Sequence, residues 1–414
     1  MGNLVNCHEK PEINQELVEL AQFAKQHIPE EHEMDLPKAV ENRRSKMLDM
    51  GFPSFLYSLL MKLAVDGVTG QSGLKELISK IYLAVCEVVD KRGSLASAGA
   101  GKSLLSLSNH STNTEKGKLA ASHALAKLTI TMDPRITFPG QRSLEVIRPL
   151  LTLLHVECKA IQNFESLLAL TNLASLDEIH RHRIMAEKAL PLIDQYLFED
   201  HQMLRRAATE CYANMAQYHA FVVSCGGELP LNDGHISIGK DLIVLGKTER
   251  LKLLTLYCSM LEEDPLLVKA ASGALATMTY DAGIIEKITK ISNWFDIIQA
   301  MAAYEAPCIQ HRAVHTLYNM VTNGPTSLSE YIAKTSMLDI VMALEKLEPI
   351  DATTCEAISP AAVITMPGMQ MKEIIKQSAV EREKTKSTAF DLLKKLEEHK
   401  LIMSVEKALA MNKA

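Results

Sequence analysis

Aromatic residues are scarce in this chain of 414 residues: phenylalanine, tryptophan and tyrosine together make up 5% of it, and Trp294 is the single tryptophan. Leucine, alanine, isoleucine and methionine are plentiful instead. Alanine and straight-chain apolar residues lose little side-chain freedom in a helix, so this composition favours helices over sheets. Alternation of apolar and polar residues, which is typical of a strand, is weak throughout the sequence. We therefore predict an all-α protein.

The sequence also lacks the segments that would place it in or across a membrane. It has no run of 18 or more apolar residues. Its first residues contain no apolar core of a secretory signal, and Asn6 stands where a myristoylation signal has Ser or Thr. The eight cysteines lie far apart without a CxxC pair, which is typical of reduced thiols in a cytosolic protein. We expect a cytoplasmic protein that binds no membrane.

Charge and histidine spacing argue against nucleic acid and metal as ligands. The net charge is −6, whereas a nucleic-acid-binding surface is usually basic. His180 and His182 are two residues apart, so on a helix they point in different directions and suit a surface. His311 and His315 could share a ligand, but no third ligand is placed to join them, and a solvated pair is the preferred interpretation. We predict no metal and no cofactor.

The tripeptide Gly101-Lys102-Ser103 matches the end of a phosphate-binding loop. That loop needs another glycine five residues before Gly101, where this chain has Ala96, and it must follow a buried strand. The preceding residues include the charged Glu87, Asp90 and Arg92, which a buried strand would not hold. We interpret the tripeptide as a turn between helices and predict that the chain is not an enzyme.

Three asparagines mark a repeat: Asn172, Asn214 and Asn319 each lie in a run of small apolar residues with helical spacing. Thr277 and Lys127 occupy the same position in two related runs. Neighbouring marks lie about 42 residues apart, except for one gap that is longer by about 21. A period near 42 residues is typical of armadillo and HEAT repeats.

One such repeat cannot bury its own apolar face, so neighbouring repeats stack. We predict an armadillo/HEAT-like right-handed superhelix, an α-solenoid with a concave groove. A helical lead-in at 1–45 would precede repeats at 46–345. A loop insertion at 222–241 would explain the long gap, and 346–414 would contribute an interruption and capping helices.

Six segments of the sequence resemble the UCS domain of the UCS-family myosin chaperones. They are TFPGQRSLEVIRPLLTLLH (137–155), NFESLLALTNLAS (163–175), RRAATECYANMA (205–216), ERLKLLTLY (249–257), ALAKLTIT (124–131) and QHRAVHTLYNMV (310–321). The resemblance extends from about residue 30 to 345 and continues more weakly through the terminal helices.

This resemblance implies an armadillo-type superhelix that binds the myosin motor domain and assists its folding, assembly or protection without an ATPase of its own. Animal members of the family carry an N-terminal TPR module, which docks the ninety-kilodalton heat-shock chaperone, and a central armadillo region. The sequence shows neither, so we expect a domain or a short form. The heat-shock chaperone would be a partner only where a longer form carries the TPR module.

Residues near the repeat asparagines are predicted to line the concave groove, because positions three or four apart share a helix face. The predicted partner-binding residues are Asn172, Asn214, Asn319, Glu165, Arg206, Glu210, Gln217, Tyr218, Lys269, Tyr280, His311, His315 and Asn323. In armadillo proteins the repeat asparagine bonds the backbone of an extended peptide through its amide. Alternatively, these asparagines bridge neighbouring helices.

A second functional class is an adapter that binds another protein's extended segment. Adapters that carry basic signals need tryptophan four residues before each asparagine. Leu168, Glu210 and His315 occupy those positions here, which counts against that class.

Overall fold

The computed structural model of the chain describes residues 72–228, 248–350 and 359–402. Every regular element in these ranges is a helix, which confirms the predicted all-α class. The chain divides into two compact units, Met1–Tyr196 and Leu197–Ala414. Among the described helices, none is both long and apolar enough to cross a membrane.

In the first unit, three long helices alternate with groups of short ones. In chain order the helices are α1 (Ser72–Cys86), α2 (Arg92–Ser97), α3 (Ala100–Asn109), α4 (Glu115–Thr131), α5 (Pro134–Thr137), α6 (Arg142–Glu145), α7 (Ile147–Leu151), α8 (Ala160–Leu176), α9 (Glu178–Ala186) and α10 (Leu190–Leu197). The long helix α4 packs against both α1 and α8. The buried side chains between these helices form the core of the unit.

The second unit repeats this arrangement with four long helices. Its helices are α11 (Gln202–Met215), α12 (His219–Ser224), α13 (Thr248–Tyr257), α14 (Pro265–Met278), α15 (Ala282–Thr289), α16 (Trp294–Ala303), α17 (Pro307–Asn323), α18 (Thr326–Ala333), α19 (Ser336–Glu345), α20 (Pro360–Ile364) and α21 (Met371–Glu398). The long helices α11, α14, α17 and α21 pack side by side in that order.

Each residue of the predicted repeat frame lies in a long helix. Lys127 is in α4, Asn172 in α8, Asn214 in α11, Thr277 in α14 and Asn319 in α17. The period of about 42 residues therefore corresponds to one long helix and the short helices before it. This confirms the prediction of stacked helical repeats.

Side-chain caps and prolines fix where several long helices begin. Thr114 accepts a hydrogen bond from the Gly117 amide at the start of α4. At the start of α14, Asp264 accepts one from the Leu267 amide, and Pro265 occupies the first turn. Such caps satisfy amide groups that have no partner within the helix, and proline is tolerated there because its missing N–H costs nothing.

Gly117 lets α4 approach α1 closely. A Cβ atom at this position would lie 2.9 Å from the Glu76 Cα atom, which real side chains do not tolerate. The glycine thus serves the packing of two long helices.

The predicted turn at Gly101-Lys102-Ser103 is wrong in detail. These residues lie in the first turns of α3, and the turn itself is at Gly99, whose φ is +84°. Gly101 is required for packing, because a Cβ atom there would lie 2.8 Å from the Phe138 ring. Helix α2 precedes this turn, so the strand that a phosphate-binding loop requires is not found in this described part of the chain.

His180 was predicted on the surface, and this is wrong. Its side chain is buried, with Nδ1 2.6 Å from Asp177 Oδ1 and Nε2 2.9 Å from Ser143 Oγ. The imidazole can enter the core because both ring nitrogens find polar partners there.

The predicted loop insertion begins too early at residue 222. Val222–Ser224 belong to α12, and the side chains of Val222 and Cys225 are fully buried. Residues 229–241 of the predicted loop lie outside the described residues, as does the predicted lead-in at 1–45.

The C-terminal part also differs from the prediction. Within the described residues, the part of 346–414 predicted to form capping helices contains one continuous helix of 28 residues, α21, preceded by the short helix α20.

Candidate functional site

A cleft of about 620 Å³ opens between the four long helices of the second unit. We call it the four-helix cleft. Its lining residues are Ala213 and Asn214 on α11, Gln217 in the turn that follows α11, Gly273, Ala276 and Thr277 on α14, His311, Arg312 and His315 on α17, and Glu381, Lys384, Ser387 and Thr388 on α21.

Small residues form part of the cleft surface and leave room next to the helix backbones. They are Ala213, Gly273 and Ala276. At Gly273 a Cβ atom would lie only 3.2 Å from Arg312 Cζ. The glycine therefore allows the Arg312 guanidinium to cross to α14, where it donates a hydrogen bond to the Lys269 carbonyl.

Glu381 joins α21 to α17 inside the cleft. Its carboxylate lies 3.1 Å from His311 Nδ1 and 3.0 Å from Lys384 Nζ. Burial raises the pKa of Glu381, but the hydrogen bonds from His311 and Lys384 outweigh burial and hold the pKa at about 2. Glu381 is therefore ionised at neutral pH, and its charge has partners on both helices.

His315 is half-buried beside His311, with the ring centroids 6.1 Å apart. Burial lowers the pKa of His315, and the neighbouring His311 lowers it further. This histidine is therefore neutral at pH 7. The two rings belong to the wall of the cleft, and both are less exposed than the predicted solvated pair. No group of three or more potential metal-ligating His, Cys, Asp or Glu side chains occurs among the residues the structure describes.

Two of the repeat asparagines bridge neighbouring long helices. Asn172 donates its amide N–H groups to the carbonyls of Thr129 and Ile130, at 3.1 and 3.2 Å. In the other unit, Asn319 donates to the Ala276 carbonyl at 3.0 Å. The carbonyls in the last turn of a helix have no partner within it, and the asparagine of the next repeat supplies one.

Asn172 and Asn319 therefore match the alternative interpretation, in which the repeat asparagines bridge neighbouring helices. Asn319 is buried, so it is not accessible to a partner, and the prediction that it binds one is corrected. Asn214 is half-buried, like Asn172, and it lines the four-helix cleft.

Two charged residues of the predicted set form ion pairs within their own units. In the first unit, Glu165 lies 2.6 Å from His123 Nε2 and 2.9 Å from Lys127 Nζ. Burial raises the pKa of Glu165, but hydrogen bonds from His123 and Lys127 outweigh it and lower the pKa. In the second unit, Arg206 Nε donates to the fully buried Asp264 at 2.6 Å.

The structure places four further predicted residues away from the cleft lining. Tyr218 is wrong as a partner-binding residue, because its side chain is buried at the start of α12. Tyr280 is exposed, and its hydroxyl lies 2.9 Å from His219 Nδ1. Glu210 and Asn323 are exposed.

Lys269 is covered by a segment of the chain itself. Its Nζ donates to the Thr365 carbonyl at 2.8 Å, and Thr365 is fully buried. Ser359 donates to the Glu305 carbonyl, and helix α20 packs against α14. The segment 359–366 therefore occupies the surface at the N-terminal ends of α14 and α17.

The cleft brings together Asn214, Gln217, His311 and His315 from the predicted set. The prediction missed Arg312 and all the residues on α21, which was assigned to a cap. One signal was present in the sequence: residues 381, 384 and 388 are spaced to lie on one helix face, and all are polar.

Comparison with known proteins identifies relatives of this chain. No family model matches the sequence. Protein unc-45 homolog B of Danio rerio is 38% identical over 348 residues, which are 84% of this chain and 34% of the relative. The solved structure of UNC-45 from Drosophila melanogaster matches with a TM-score of 0.70 and 33% identity, over 96% of this chain and 43% of that one.

This chain is homologous to UNC-45. The predicted resemblance and the armadillo-like helical fold are thereby confirmed. A further structure, described as the myosin chaperone UNC-45 from C. elegans in complex with a Hsp90 peptide, matches with a TM-score of 0.62 and 31% identity, over 90% of this chain and 36% of that one. The chain spans about a third of the length of the curated UNC-45 relatives it matches.

Proposed function

We propose that this UNC-45 homologue is a myosin-specific chaperone domain that binds a myosin motor domain through the four-helix cleft. The observation that carries the proposal is the cleft itself: four stacked repeats expose small residues and polar side chains in one place. Homology to a protein described as a myosin chaperone supports the choice of client.

The lining suits a short extended segment of the client. The Gln217 amide offers both a donor and an acceptor, and the Thr388 hydroxyl can do either. The Thr277 hydroxyl donates to the Gly273 carbonyl and can still accept a hydrogen bond. An extended backbone presents unpaired N–H and C=O groups that need such partners. A volume of about 620 Å³ lies within the range of roughly 300–1,000 Å³ typical of ligand sites, so a few residues would fit.

The chain would act without nucleotide, as a cytoplasmic binding protein. The tripeptide that resembles the end of a phosphate-binding loop lies in α3, and the element before it in the chain is helix α2. We expect stoichiometric protection of myosin heads from heat aggregation, read by light scattering, with no effect of ATP. Binding of the ninety-kilodalton heat-shock chaperone is proposed only for a longer form with a TPR module.

Motor-domain affinity of a cleft variant tests the proposal. Asn214→Tyr places a bulky ring in the cleft, and we expect it to weaken binding of a myosin motor domain at least tenfold, as measured by calorimetry. Asn323→Tyr is the matched control, because Asn323 is exposed on α17 outside the lining. Equal affinity of a folded Asn214→Tyr variant and the wild type would move the site off the cleft.

The second candidate function is an adapter for another protein's extended segment. A carrier of basic signals is disfavoured, because Arg312 and Lys384 in the cleft would repel a basic segment. Capture of a non-myosin partner that Asn214→Tyr abolishes, together with no binding to motor domains, would favour an adapter.

A further inference from the structure

The four-helix cleft carries a local charge opposite to that of the whole chain. The chain has a net charge of −6. Arg312 and Lys384 are two basic side chains among the lining residues, and Glu381 is the one carboxylate among the described residues that line the cleft. The local excess of positive charge therefore belongs to this cleft and does not reflect the composition of the protein.

The two cations lie on different helices and keep donors available. Arg312, on α17, uses one of its five N–H donors on the Lys269 carbonyl within the described residues. Lys384, on α21, contacts Glu381 at 3.0 Å, and its side chain is 51% exposed. Glu381 in turn is already paired with His311. The carboxylate of the cleft is thus more fully paired than its two cations.

Nearby charges outside the lining do not cancel this excess. Arg206 is paired with the buried Asp264. Lys269 is bonded to the Thr365 carbonyl. Desolvation raises the pKa of Glu210, and the charges of Lys269 and Arg206 offset this only in part. Asp264 therefore has a cation of its own, and Glu210 is ionised less readily than an ordinary glutamate.

We propose that the segment bound in the cleft carries an aspartate or glutamate, whose carboxylate lies between Arg312 and Lys384. This rests on the proposed function, namely that the cleft binds an extended segment. An arginine can hold a carboxylate with two parallel N–H donors, and a lysine adds a point charge. A basic residue at the same place would be repelled by the two cations, so they select a partner segment by the sign of its charge.

Selection from a random library of twelve-residue displayed peptides tests this without assuming a client. The wild-type chain should enrich peptides with Asp or Glu at one position. Lys384→Glu should lose that preference or reverse it towards Lys and Arg. Lys394→Glu is the matched control, because Lys394 is exposed on the same helix outside the cleft. No acidic preference, or one that survives in Lys384→Glu, would overturn the proposal.

Affinities of individual peptides make the test quantitative. The best acidic peptide should bind Lys384→Glu about tenfold more weakly than wild type, which corresponds to about 1.4 kcal/mol. Replacing its acid with Asn or Gln should weaken binding to wild type by a similar factor. Lys384→Gln, which can still hydrogen-bond Glu381, should lie in between, and thermal melts must show that each variant is folded.

A parallel measurement with a myosin motor domain separates this proposal from the proposed function. If the motor domain binds but Lys384→Glu leaves both peptide preference and motor affinity unchanged, only the acidic selectivity fails. If acidic peptides bind in a Lys384-dependent way while the motor domain does not, the client assignment fails and the selectivity stands.

Discussion

The side-chain amide of Asn319 donates a hydrogen bond to the Ala276 main-chain carbonyl, 3.0 Å away on the preceding long helix. Its Nδ2 also lies 3.3 Å from Thr279 Oγ1. Asn172 makes the equivalent contact with Thr129 and Ile130 in the first unit. The same residue type at the same repeat position therefore ties each of these helices to the end of the one before.

Removing the bridge at Asn319 should destabilise the second unit. Asn319→Ala leaves a buried carbonyl short of a partner, and we expect a loss of about 1–3 kcal/mol in the free energy of unfolding. Urea unfolding at pH 7 measures it. Asn323→Ala, at an exposed position on the same helix, should change stability by less than about 0.5 kcal/mol. An Asn319→Ala variant as stable as this control would contradict a structural role.

Asn214→Ala should show the opposite pattern to Asn319→Ala. Asn214 is half-buried at the cleft, so we expect a cost below about 1 kcal/mol in folding. If its amide bonds a client backbone, the same change should cost about 1–3 kcal/mol in motor-domain binding. Thermal melts and binding calorimetry on both variants separate the two roles. Binding lost only in proportion to unfolding would make Asn214 structural as well.

The repeat frame could be predicted from sequence, whereas most of the cleft could not. Asn172, Asn214 and Asn319 recur in small apolar runs, and such runs must lie in helices that pack closely. Which asparagines bridge and which face the cleft depends on the carbonyl ends of the preceding helix, which spacing alone does not locate. Arg312 and Glu381 lie far apart in the sequence, and only the side-by-side packing of α17 and α21 brings them to one cleft.

Glu381 should make stability depend on pH in the acid range. Burial alone would raise its pKa, but His311 and Lys384 hold it at about 2, below the ordinary value of 4.5. The folded protein therefore binds this proton more weakly than the unfolded chain does. The resulting stabilisation is fully present above about pH 4.5 and is lost as the pH falls from there towards about 2.

Melting temperatures of Glu381→Gln measured from pH 7 to pH 3 test this. The variant should melt below the wild type at pH 7, and the difference should shrink as the pH falls below about 4.5. Glu383→Gln, at an exposed position on the same helix, serves as the control and should follow the wild type throughout. A constant difference between Glu381→Gln and wild type across this range would show that the ion pairs contribute little.

The segment that ends α12 should prove essential for folding, contrary to the prediction that residue 222 begins a loop insertion. Val222 and Cys225 are fully buried, Lys287 donates to the Gly226 carbonyl, and the Glu228 amide donates to Asp281. Replacing 222–228 with a Gly-Ser linker removes these contacts and should lower the melting temperature by more than about 10 °C.

A second replacement, limited to 229–241, keeps these contacts of residues 222–228 and is the comparison. Loop-closure entropy changes slowly with length, so this variant should melt close to the wild type. Equal melting temperatures for the two replacements would contradict a structural role for 222–228.

Position 273 should require glycine because of the neighbouring Arg312 side chain, and not because of the helix that contains it. Alanine is favoured over glycine in a helix interior by about 1 kcal/mol, so Gly273→Ala gains stability from the backbone. The new Cβ would lie 3.2 Å from Arg312 Cζ, which must shift and weaken its hydrogen bond to the Lys269 carbonyl. That bond is worth about 1 kcal/mol, so the two effects should nearly cancel in the single variant. In an Arg312→Ala background the obstacle is gone, and Gly273→Ala should then stabilise the protein by close to the full helical gain.

Gly93→Ala is the control, because the nearest atom to its Cβ is Met132 Cε at 3.8 Å, an ordinary contact, so its effect should be the same in both backgrounds. Urea unfolding of wild type, the two single variants at 273 and 312, and the double variant forms a double-mutant cycle. A coupling energy near zero would show that the glycine is not there to admit the guanidinium.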